Sequence, residues 1–374
     1  PRLIHLLHTA DWQIGTRFGQ FSAEEAALLT EARFETVENI ARLASEKKVQ
    51  AVLVAGDVFD QQTVTDKVIR RLFASLAGYA GHWIMIPGNH DAALPESVWT
   101  RAARLNCIPP NVKVLLTPAV VPFDEGFSVL AAPLTQRRTF DDVTEFFDGA
   151  VTPDGHVRIG LSHGSVLQKL PEGIDAGNPI AEDRVSRASL DYLALGDWHG
   201  VYTVNDRTWY SGTPETDRFR HNRSGMVLEV KIEGPGAVPD VTGHRSSKYD
   251  WHRWVENLAV SSDVDLLITR LGGLSGKDVV HLTVSGSVDM AASRRLETAI
   301  EEASARVRAL RMDMSAMRLM PTADDLATLG ANSGYLANAV AKLKTAQDDP
   351  DQHAVATEAL MLLSRIHRDL GTKQ

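Results

Sequence analysis

The chain has 374 residues, of which 44% are hydrophobic and 23% charged, and its formal net charge at pH 7 is -9. This composition is that of a globular protein with enough apolar surface for a core, and the length suits two domains. The acidic balance argues against a generally basic nucleic-acid coat but leaves room for a local basic groove.

Hydropathy and cysteine content narrow the class of protein further. No apolar run approaches the roughly eighteen residues that cross a bilayer, and the first residues lack the basic, apolar and small-residue order of a signal peptide. We therefore expect a cytoplasmic protein that has no contact with a membrane. The single cysteine, Cys107, rules out an internal disulfide and a cysteine-based zinc site, so a metal would need histidine and oxygen ligands.

The first 235 residues alternate short apolar strands with amphipathic helices, which is typical of a layered α/β domain. Ser22 and Glu25 have the spacing of a capping box, so a helix is predicted to begin there. A second helix is predicted over 66–79, with Gly81 after its end. The predicted strands are 4–10, 51–55, 83–87, 128–132, 157–162 and 192–195.

The sequence changes character after residue 232. EGPGAVPD, residues 233–240, is rich in glycine and proline and indicates a loop or a domain boundary. Beyond it we predict strands at 266–270 and 279–284, then helices over 290–310, 322–346 and 351–370, with Gly330 or Gly334 as a point where the second can break. The predicted domains are accordingly 1–235, 236–320 and 321–374.

Polar side chains follow five of the apolar runs at the point where each run ends. The junctions are HTADWQIG (8–15), GDVFD (56–60), GNHD (88–91), SHG (162–164) and GDWHG (196–200). In an α/β sheet such strand ends face one crevice, so their Asp, Asn and His side chains meet there. These groups suit a divalent ion such as Mn²⁺, and the adjacent glycines let the backbone turn sharply. The set predicts a metal centre.

Each junction residue taken singly has a plainer explanation. A turn or a core hydrogen bond would explain Asp57, Asn89, His90, His163, Asp60 and Asp91 one by one. For Asp60 and Asp91 the turn is at least as good an explanation as a role in orienting the loops. His5 and His8 lie within the first strand, and we expect them to be core histidines. The ordered recurrence of such residues after apolar runs favours a joint site.

The five junctions in this order resemble the motifs of the calcineurin-like binuclear metallophosphoesterases, and in particular those of the SbcD-type DNA repair nuclease subunits. YSGTPE, residues 210–215, is similar to the segment after the last metal motif in those nucleases. The resemblance covers about residues 1–232 and is only architectural beyond them. It implies an α/β fold with a layered metallophosphoesterase core of two mixed sheets flanked by helices, a small α+β capping domain and C-terminal helices.

The resemblance also implies a role for each junction residue. As metal ligands it implies Asp11, Asp57, Asn89, His163 and His199, with Asp57 shared by both ions. His90 would be the general acid that protonates the leaving oxygen. The implied cofactor is a pair of Mn²⁺ ions, with Mg²⁺ as the alternative, and the implied reaction is phosphodiester hydrolysis.

Two positions depart from the family pattern. Gln13 stands where the family has the histidine of D-x-H, and Asp197 stands where it has the first histidine of G-H-x-H. Both side chains can still offer an oxygen, so our hypothesis is that Gln13 ligates or flanks the first ion and that Asp197 ligates the second. Three carboxylates against two divalent ions would favour Mn²⁺ or Mg²⁺ over softer ions.

Arginines close to the motifs in sequence suggest a class of substrate. Candidate contacts to a nucleic-acid backbone are Arg17, Arg218, Arg220 and Arg223, with Arg137 and Arg138 as further candidates, and a solvated loop is the alternative for all of them. Trp12 and Trp198 could stack on bases, although we prefer packing of the loops for both. The preferred function is a Mn²⁺-dependent DNA endonuclease or exonuclease in DNA repair or end processing.

Two other functions stay open from the sequence. Metal motifs specify the reaction and not the substrate, so a small-molecule phosphodiesterase or phosphatase is one of them. A metal-poor scaffold subunit of a repair complex is the other, because of the departures at Gln13 and Asp197. By resemblance, the partners would be DNA, a second copy of the chain and an SbcC-like coiled-coil ATPase, which would contact the apolar stripe within 355–370.

Overall fold

The computed structural model describes residues 3–166, 177–320 and 334–371. The chain divides into two compact units, which are taken separately below. The first contains the chain up to Asp217 together with His221–Lys248, and the second contains Arg218–Arg220 and the chain from Tyr249 onward. The predicted boundaries near residues 235 and 320 stay a prediction.

The first unit is built on fourteen strands of the described chain. They are β1 (Ile4–Thr9), β2 (Ala51–Ala55), β3 (His82–Ile86), β4 (Val112–Val114), β5 (Ala119–Phe123), β6 (Phe127–Ala132), β7 (Val157–His163), β8 (Ser165–Val166), β9 (Pro179–Ile180), β10 (Tyr192–Gly196), β11 (Tyr202–Asn205), β12 (Thr208–Tyr210), β13 (Met226–Ile232) and β14 (Asp240–Arg245). The six strands predicted from the sequence are all present, with bounds that differ by at most one residue.

Two six-stranded mixed sheets are formed by these strands. The first has the order β14-β13-β1-β2-β3-β4, with β1 to β4 parallel and β13 antiparallel to β1. The second has the order β11-β12-β10-β7-β6-β5, with parallel strands in the middle and an antiparallel strand at each edge. The predicted core of two mixed sheets is therefore confirmed.

A continuous apolar core joins the facing sides of the two sheets. Residues such as Leu6 and Leu53 from the first sheet cluster with Val129, Ile159 and Tyr192 from the second, all almost fully buried. The opposite face of the first sheet packs under the helices α1 (Ala23–Lys47), α2 (Asp66–Ser75) and α3 (Val98–Arg104). The outer face of the second sheet packs against a 3-10 turn (Glu145–Gly149) and α4 (Arg184–Arg187).

The capping box predicted at the start of α1 is present. The hydroxyl of Ser22 accepts from the backbone N–H of Glu25 at 3.2 Å, and the Glu25 carboxylate accepts from the backbone N–H of Ser22 at 3.0 Å. At the other end, Lys48 adopts the left-handed conformation that ends many helices. The first helix is therefore fixed at both ends by local interactions that the sequence specifies.

The second unit contains a parallel three-stranded sheet crossed by two helices. Its elements are β15 (Asp250–Leu258), α5 (Ser261–Gly272), β16 (Asp278–Val288), α6 (Met290–Arg306) and β17 (Ala309–Leu319), and the strand order is β15-β16-β17. The strand predicted at 266–270 is wrong, because these residues lie inside α5. Val264, Leu267 and Leu271 are buried at helical spacing while Leu266 is exposed, so the apolar run belongs to one helix face.

The predicted helix over 290–310 is too long. Helix α6 ends at Arg306 with Val307 in extended backbone, and residues from Ala309 onward form β17. The strands β15 and β17 were not predicted, because exposed apolar residues such as Val255 and Met312 interrupt the apolar and polar alternation that marks a half-buried strand.

Two terminal helices complete the described chain. Helix α7 is Gly334–Ala346 and α8 is His353–Gly371. Val340 and Leu360 are buried in the core of the second unit, whereas Val355, Leu362 and Ile366 are exposed. The start of the predicted helix 322–346, including Gly330, lies outside the described residues. Within the described parts of the chain, no helix is long and apolar enough to cross a membrane.

Candidate metal centre

Three buried side chains from different strand ends converge in the first unit. Asp11 follows β1, Asp57 follows β2, and His163 ends β7. One ligand atom from each lies within 4.8 Å of the other two, and all three side chains are buried. Because β1 and β2 are parallel, their carboxyl ends lie at one edge of the sheet. The structure thus brings together three of the predicted ligands that are far apart in sequence.

The backbone at these strand ends turns sharply. Asp11, Gln13 and Asp57 have φ values of 52°, 50° and 52°, and Asp197 has 109°. Such left-handed conformations are uncommon outside glycine and are concentrated at functional sites. The first two loops then run side by side, since the N–H of Asp11 donates to the Gly56 carbonyl at 3.0 Å and that of Gln13 donates to the Asp57 carbonyl at 3.0 Å. The loops fix each other.

Two glycines leave the space that the converging side chains occupy. A Cβ at Gly56 would lie 2.4 Å from Nδ1 of His163, and one at Gly88 would lie 2.2 Å from Oδ1 of Asp57. Gly56 also has a φ of 86°, which a side chain would make costly. Any other residue at these two positions would displace His163 or Asp57.

His163 presents one ring nitrogen to a group of oxygen atoms. Its Nδ1 lies 2.8 Å from the carbonyl oxygen of Ala55, so Nδ1 carries a hydrogen and donates. The other nitrogen, Nε2, lies 2.8 Å from Oδ1 of Asn89, 3.6 Å from Oδ2 of Asp57 and 3.8 Å from Oδ1 of Asp197. In the neutral ring Nε2 is itself an acceptor, so a proton or a cation at this position would stabilise the arrangement of the three oxygen atoms around it.

The charges around His163 shift its pKa in a consistent direction. Burial lowers the pKa, but the carboxylates of Asp57, Asp11 and Asp197 together raise it to about 9. For the carboxyl group of Asp11, burial acts in the opposite sense and raises the pKa to about 7, against the lowering effect of His199 and His163. Imidazole, carboxylate and amide donors in one buried cluster are the set that binds a divalent cation, so the residues fit the ion that the sequence predicts.

Asp197 is tied to the cluster through hydrogen bonds on both sides. Its backbone N–H is 3.2 Å from each carboxylate oxygen of Asp11, and its Oδ2 accepts from the Ser165 hydroxyl at 3.0 Å. Ser165 was not predicted from the sequence, although it stands one residue after the SHG motif. The carboxylate that replaces a family histidine is therefore held in the cluster rather than turned away from it.

The GNHD loop is attached to the GDVFD loop. The backbone N–H of His90 donates to Oδ1 of Asp57 at 2.9 Å, and Asp91 accepts from the N–H groups of Gly88 at 2.7 Å and Phe59 at 3.1 Å. Asp91 is completely buried, and burial raises its pKa to about 7. Of the two explanations open for Asp91, these contacts favour orientation of the loops.

His90 and His199 lie at the margin of the cluster. The His90 side chain is 44% exposed, and its Nδ1 lies 2.7 Å from the carbonyl oxygen of Asp60. Nδ1 of His199 lies 3.4 Å from Oδ2 of Asp217. Within the described residues His199 is not one of the three side chains that meet within 4.8 Å, but its charge lowers the pKa of Asp11.

The family assignment agrees with this geometry. The model of the calcineurin-like phosphoesterases matches residues 4–269, which is more than half of the chain. The chain belongs to the calcineurin-like phosphoesterase family. It is therefore a member of a hydrolase family that uses divalent metal ions, and its three-residue cluster lies where such an ion can bind.

Three relatives match parts of this phosphoesterase. It is 36% identical over 106 residues to the SbcD subunit of nuclease SbcCD from Rhodobacter capsulatus, covering 25% of this chain and 24% of that protein. It is 33% identical over 101 residues to the SbcD subunit from Escherichia coli, covering 25% and 23%. It is 25% identical over 207 residues to the uncharacterized metallophosphoesterase YhaO of Bacillus subtilis, covering 52% and 48%. The matches span about a quarter to a half of these relatives.

The predicted arginines are not among the side chains that form the cluster. Arg17 is exposed, and the carbonyl of Arg223 accepts from the N–H of Val201 at 3.2 Å. Arg218 and Arg220 belong to the second unit of the phosphoesterase, and Arg220 is exposed. Between them, the Phe219 ring packs 4.8 Å from that of Trp251 and 5.4 Å from that of His281.

One buried arginine that contacts the HTADWQIG loop was not predicted from the sequence. Arg33 of α1 is 2% exposed and donates to the carbonyls of Trp12 at 2.8 Å and Glu215 at 3.1 Å. It also reaches the hydroxyl of Thr213 at 3.2 Å. One signal was present, because Arg33 interrupts the apolar stripe of α1 at a position that faces the sheet. The phosphoesterase uses it to join HTADWQIG to YSGTPE.

The aromatic and histidine residues of the first strands have structural roles. Trp12 is buried, donates from Nε1 to the Thr9 hydroxyl at 2.9 Å and packs edge-on to Trp83. His8 is buried between the Tyr192 hydroxyl at 2.8 Å and the Leu195 carbonyl at 3.1 Å, and burial lowers its pKa to about 3. The expectations of packing for Trp12 and of a core histidine for His8 agree with these contacts.

Proposed function

We propose that this phosphoesterase is a DNA nuclease that hydrolyses phosphodiester bonds with two divalent ions, Mn²⁺ or Mg²⁺. The observation that carries the proposal is the convergence of three oxygen atoms on Nε2 of His163, between 2.8 and 3.8 Å away. A positive charge between a buried acceptor nitrogen and the acceptor oxygens around it stabilises such an arrangement. The family assignment makes a metal ion the natural source of that charge.

We propose the ligand sets that the resemblance implies, with Asp197 in addition, and the cluster of Asp11, Asp57 and His163 supports them. One ion would be held by Asp57, Asn89, His163 and Asp197, and the other by Asp11, Asp57 and His199. When bound, the ions supply Lewis acidity, which activates water and offsets the charge that develops on the phosphate. The role of Gln13 beside Asp57 is treated in the next subsection.

His90 is the proposed general acid, and its hydrogen bond selects the nitrogen that can give up a proton. Nδ1 donates to the carbonyl of Asp60, which can only accept, so Nδ1 keeps its hydrogen in either charge state of the ring. The exchangeable proton is therefore on Nε2. The side chain is nearly half exposed and can reach a leaving oxygen, while its backbone N–H holds it to Asp57.

Basic residues in the second unit support DNA as the substrate. Arg253, His281 and Arg311 are aligned across β15, β16 and β17, in one cross-strand row. Burial lowers the pKa of His281, and the nearby charges of Arg311 and Arg253 lower it further. Phe219 packs against the same His281, so Arg218 and Arg220 lie next to this row. In a chain with a net charge of -9, two arginines thus lie in one row of this sheet, where they could contact phosphates.

The two SbcD relatives suggest a partner for the second unit. We propose that the exposed apolar residues of α8, Val355, Leu362 and Ile366, contact an SbcC-like coiled-coil ATPase. Their spacing of seven and four residues places them on one helix face, as helix-to-helix contacts need. A second copy of the chain is the alternative occupant, and a cytoplasmic location accords with both.

The first experiment compares DNA cleavage by the wild type and by Asp57→Ala in Mn²⁺. Loss of the carboxylate that both ions would share should lower the rate at least about 1000-fold. Asp154→Ala, which changes an exposed aspartate in a turn, is the matched control and should cleave normally. Full activity of Asp57→Ala would contradict the proposal. Hydrolysis of bis(p-nitrophenyl) phosphate that DNA does not inhibit would support a small-molecule phosphodiesterase instead.

The second experiment measures DNA affinity in a chelator, so that cleavage plays no part. The double variant Arg218→Ala and Arg220→Ala should bind a fluorescent DNA duplex at least about tenfold more weakly. Its salt dependence should fall by nearly two in slope, since each phosphate contact contributes about 0.9. Arg295→Ala removes an exposed arginine of α6 that pairs with Asp265, and it should bind as the wild type does. An unchanged affinity in the double variant would remove these residues from the substrate site.

A further inference from the structure

Gln13 points the nitrogen end of its amide at the carboxylate that both ions would share. Its Nε2 lies 3.0 Å from Oδ2 of Asp57, and the Gln13 side chain is almost fully buried. A carboxylate oxygen only accepts hydrogen bonds, so the N–H end of the amide faces it. The reversed amide would bring two acceptor oxygens to the same distance in a buried site, which is unfavourable.

The backbone gives Gln13 little freedom to do otherwise. Its own N–H donates to the Asp57 carbonyl at 3.0 Å, and the N–H of Ile14 donates to the Val58 carbonyl at 2.9 Å. Gln13 has a φ of 50°, and the Thr16 hydroxyl donates to its carbonyl at 2.6 Å. The backbone of Gln13 is therefore held at both its N–H and its carbonyl group, and its side-chain amide reaches Asp57 from this fixed position.

The two oxygens of Asp57 are both occupied by N–H donors from the chain. Oδ1 accepts from the backbone N–H of His90 at 2.9 Å, and Oδ2 accepts from Gln13. These two bonds set the orientation of the carboxylate plane. Groups that orient a ligand in this way commonly hold its geometry without touching the metal.

We infer that Gln13 is a positioning residue that holds Asp57 by a hydrogen bond and does not coordinate a cation. The inference rests on the proposed two-ion site and makes its two positions unequal. The ion position around His163 would have four side-chain ligands, from Asp57, Asn89, His163 and Asp197. The ion position around Asp11 would have three ligands, which are Asp11, His199 and Asp57. Gln13, which replaces the family histidine, would give a hydrogen bond to Asp57 instead of binding the ion. This phosphoesterase should load Mn²⁺ in a strong step and a weak step.

Titration of Mn²⁺ into the metal-free protein tests the inequality without any substrate. Calorimetry and the electron paramagnetic resonance of free Mn²⁺ should give two steps whose dissociation constants differ at least about tenfold. After the first equivalent, the bound signal should be that of an isolated ion. The signal of a spin-coupled pair should form only as the second step fills. Two equal steps, or a coupled pair at one equivalent, would overturn the inference.

The variant Gln13→His restores a metal-binding side chain at the weak position. It should tighten the second step at least about tenfold and narrow the gap between the steps, and Gln20→Ala in the exposed loop should leave both steps unchanged. An unchanged gap in Gln13→His would contradict the inference. Melting curves in the chelator establish that each variant is folded before titration.

A crystal structure of the Mn²⁺-loaded wild type places the amide directly. The expected result is Nε2 of Gln13 within about 3 Å of Asp57 and Oε1 outside the inner coordination distance, which is about 2.2 Å for such ions. Oε1 bound to an ion would overturn the inference while leaving the proposed nuclease intact. A wild type that binds no Mn²⁺ in either method would overturn the proposed function itself.

Discussion

Two buried carboxylates in the first unit, those of Glu229 and Asp11, have opposite electrostatic surroundings. Glu229 of β13 accepts from His5 and His244 at 2.7 and 2.6 Å and from Lys47 and Lys231 at 3.1 and 3.2 Å. Although burial raises it, these hydrogen bonds hold the pKa of Glu229 well below its usual range. At the metal cluster, burial instead raises the pKa of Asp11 to about 7.

The difference lies in the source of the positive charge. Around Glu229 the chain itself supplies two lysines and two histidines from β1, α1, β13 and β14, so the carboxylate has its cationic partners without a bound ion. Around Asp11 the neighbours include two further carboxylates, Asp57 and Asp197, and one histidine whose free nitrogen faces oxygens. The first group stabilises the fold, whereas the second concentrates negative charge that a metal ion neutralises.

Removing the charge of Glu229 should have the larger effect on stability. Glu229→Gln should lower the free energy of unfolding at pH 7 by about 2 kcal/mol, because four partners lose the carboxylate that satisfies them. Urea denaturation measures this, with Glu233→Gln in the following loop as the control. Metal binding should not change, since Glu229 is outside the metal cluster. A difference below about 0.5 kcal/mol would mean that the group is screened by solvent.

The pH dependence of that loss follows from the direction of the pKa shift. A carboxyl whose pKa is lowered by folding contributes its stability in full above the pKa of the unfolded chain, which is about 4.3 for glutamate. The contribution is lost as the pH falls from there through the lower folded value. The wild type and Glu229→Gln should therefore differ at pH 7, begin to converge below about pH 4 and continue to converge as the pH falls further. Divergence below about pH 4 would have the wrong sign.

Removing a charge from the metal cluster should act in the other direction and more weakly. In a chelator, Asp11→Asn should raise the free energy of unfolding by about 1 kcal/mol, because it removes the cost of burying the Asp11 charge and also the repulsion from Asp57 and Asp197. Asp154→Asn is the exposed control. Saturating Mn²⁺ should reverse the order, since the wild type then gains the free energy of ion binding. If Asp11→Asn destabilises the metal-free protein as Glu229→Gln does, the contrast between the two groups fails.

The metal cluster could be predicted from the sequence because its members are marked locally. Asp11 and Asp57 follow β1 and β2, whose parallel pairing brings their ends to one edge of the first sheet, and His163 stands at the end of β7 in the second sheet. The Glu229 group carries no such mark. Its partners meet only because β13 and β14 pair antiparallel beside β1, a neighbourhood that no short stretch of sequence announces.

The orientation of the side chains at the cluster could not be predicted from the sequence either. The letters at Gln13 and Asp197 indicate a departure from the family pattern, but whether an amide turns its oxygen or its nitrogen to Asp57 depends on the packed loops. The strand wrongly predicted at 266–270 has a similar cause. A short apolar run has no intrinsic period, and helix α5 places Leu266 outward only because the neighbouring sheet covers the Leu267 side.

The contacts of Arg33 determine how the chain can be dissected. The HTADWQIG loop is fastened through this side chain to Glu215, and the Glu215 carboxylate in turn accepts from the Thr36 hydroxyl at 2.5 Å and the Lys248 N–H at 2.7 Å. A fragment cut just after the last histidine motif would retain every predicted ligand and lose this fastening. A fragment that keeps these contacts must therefore run from the first strand through Lys248.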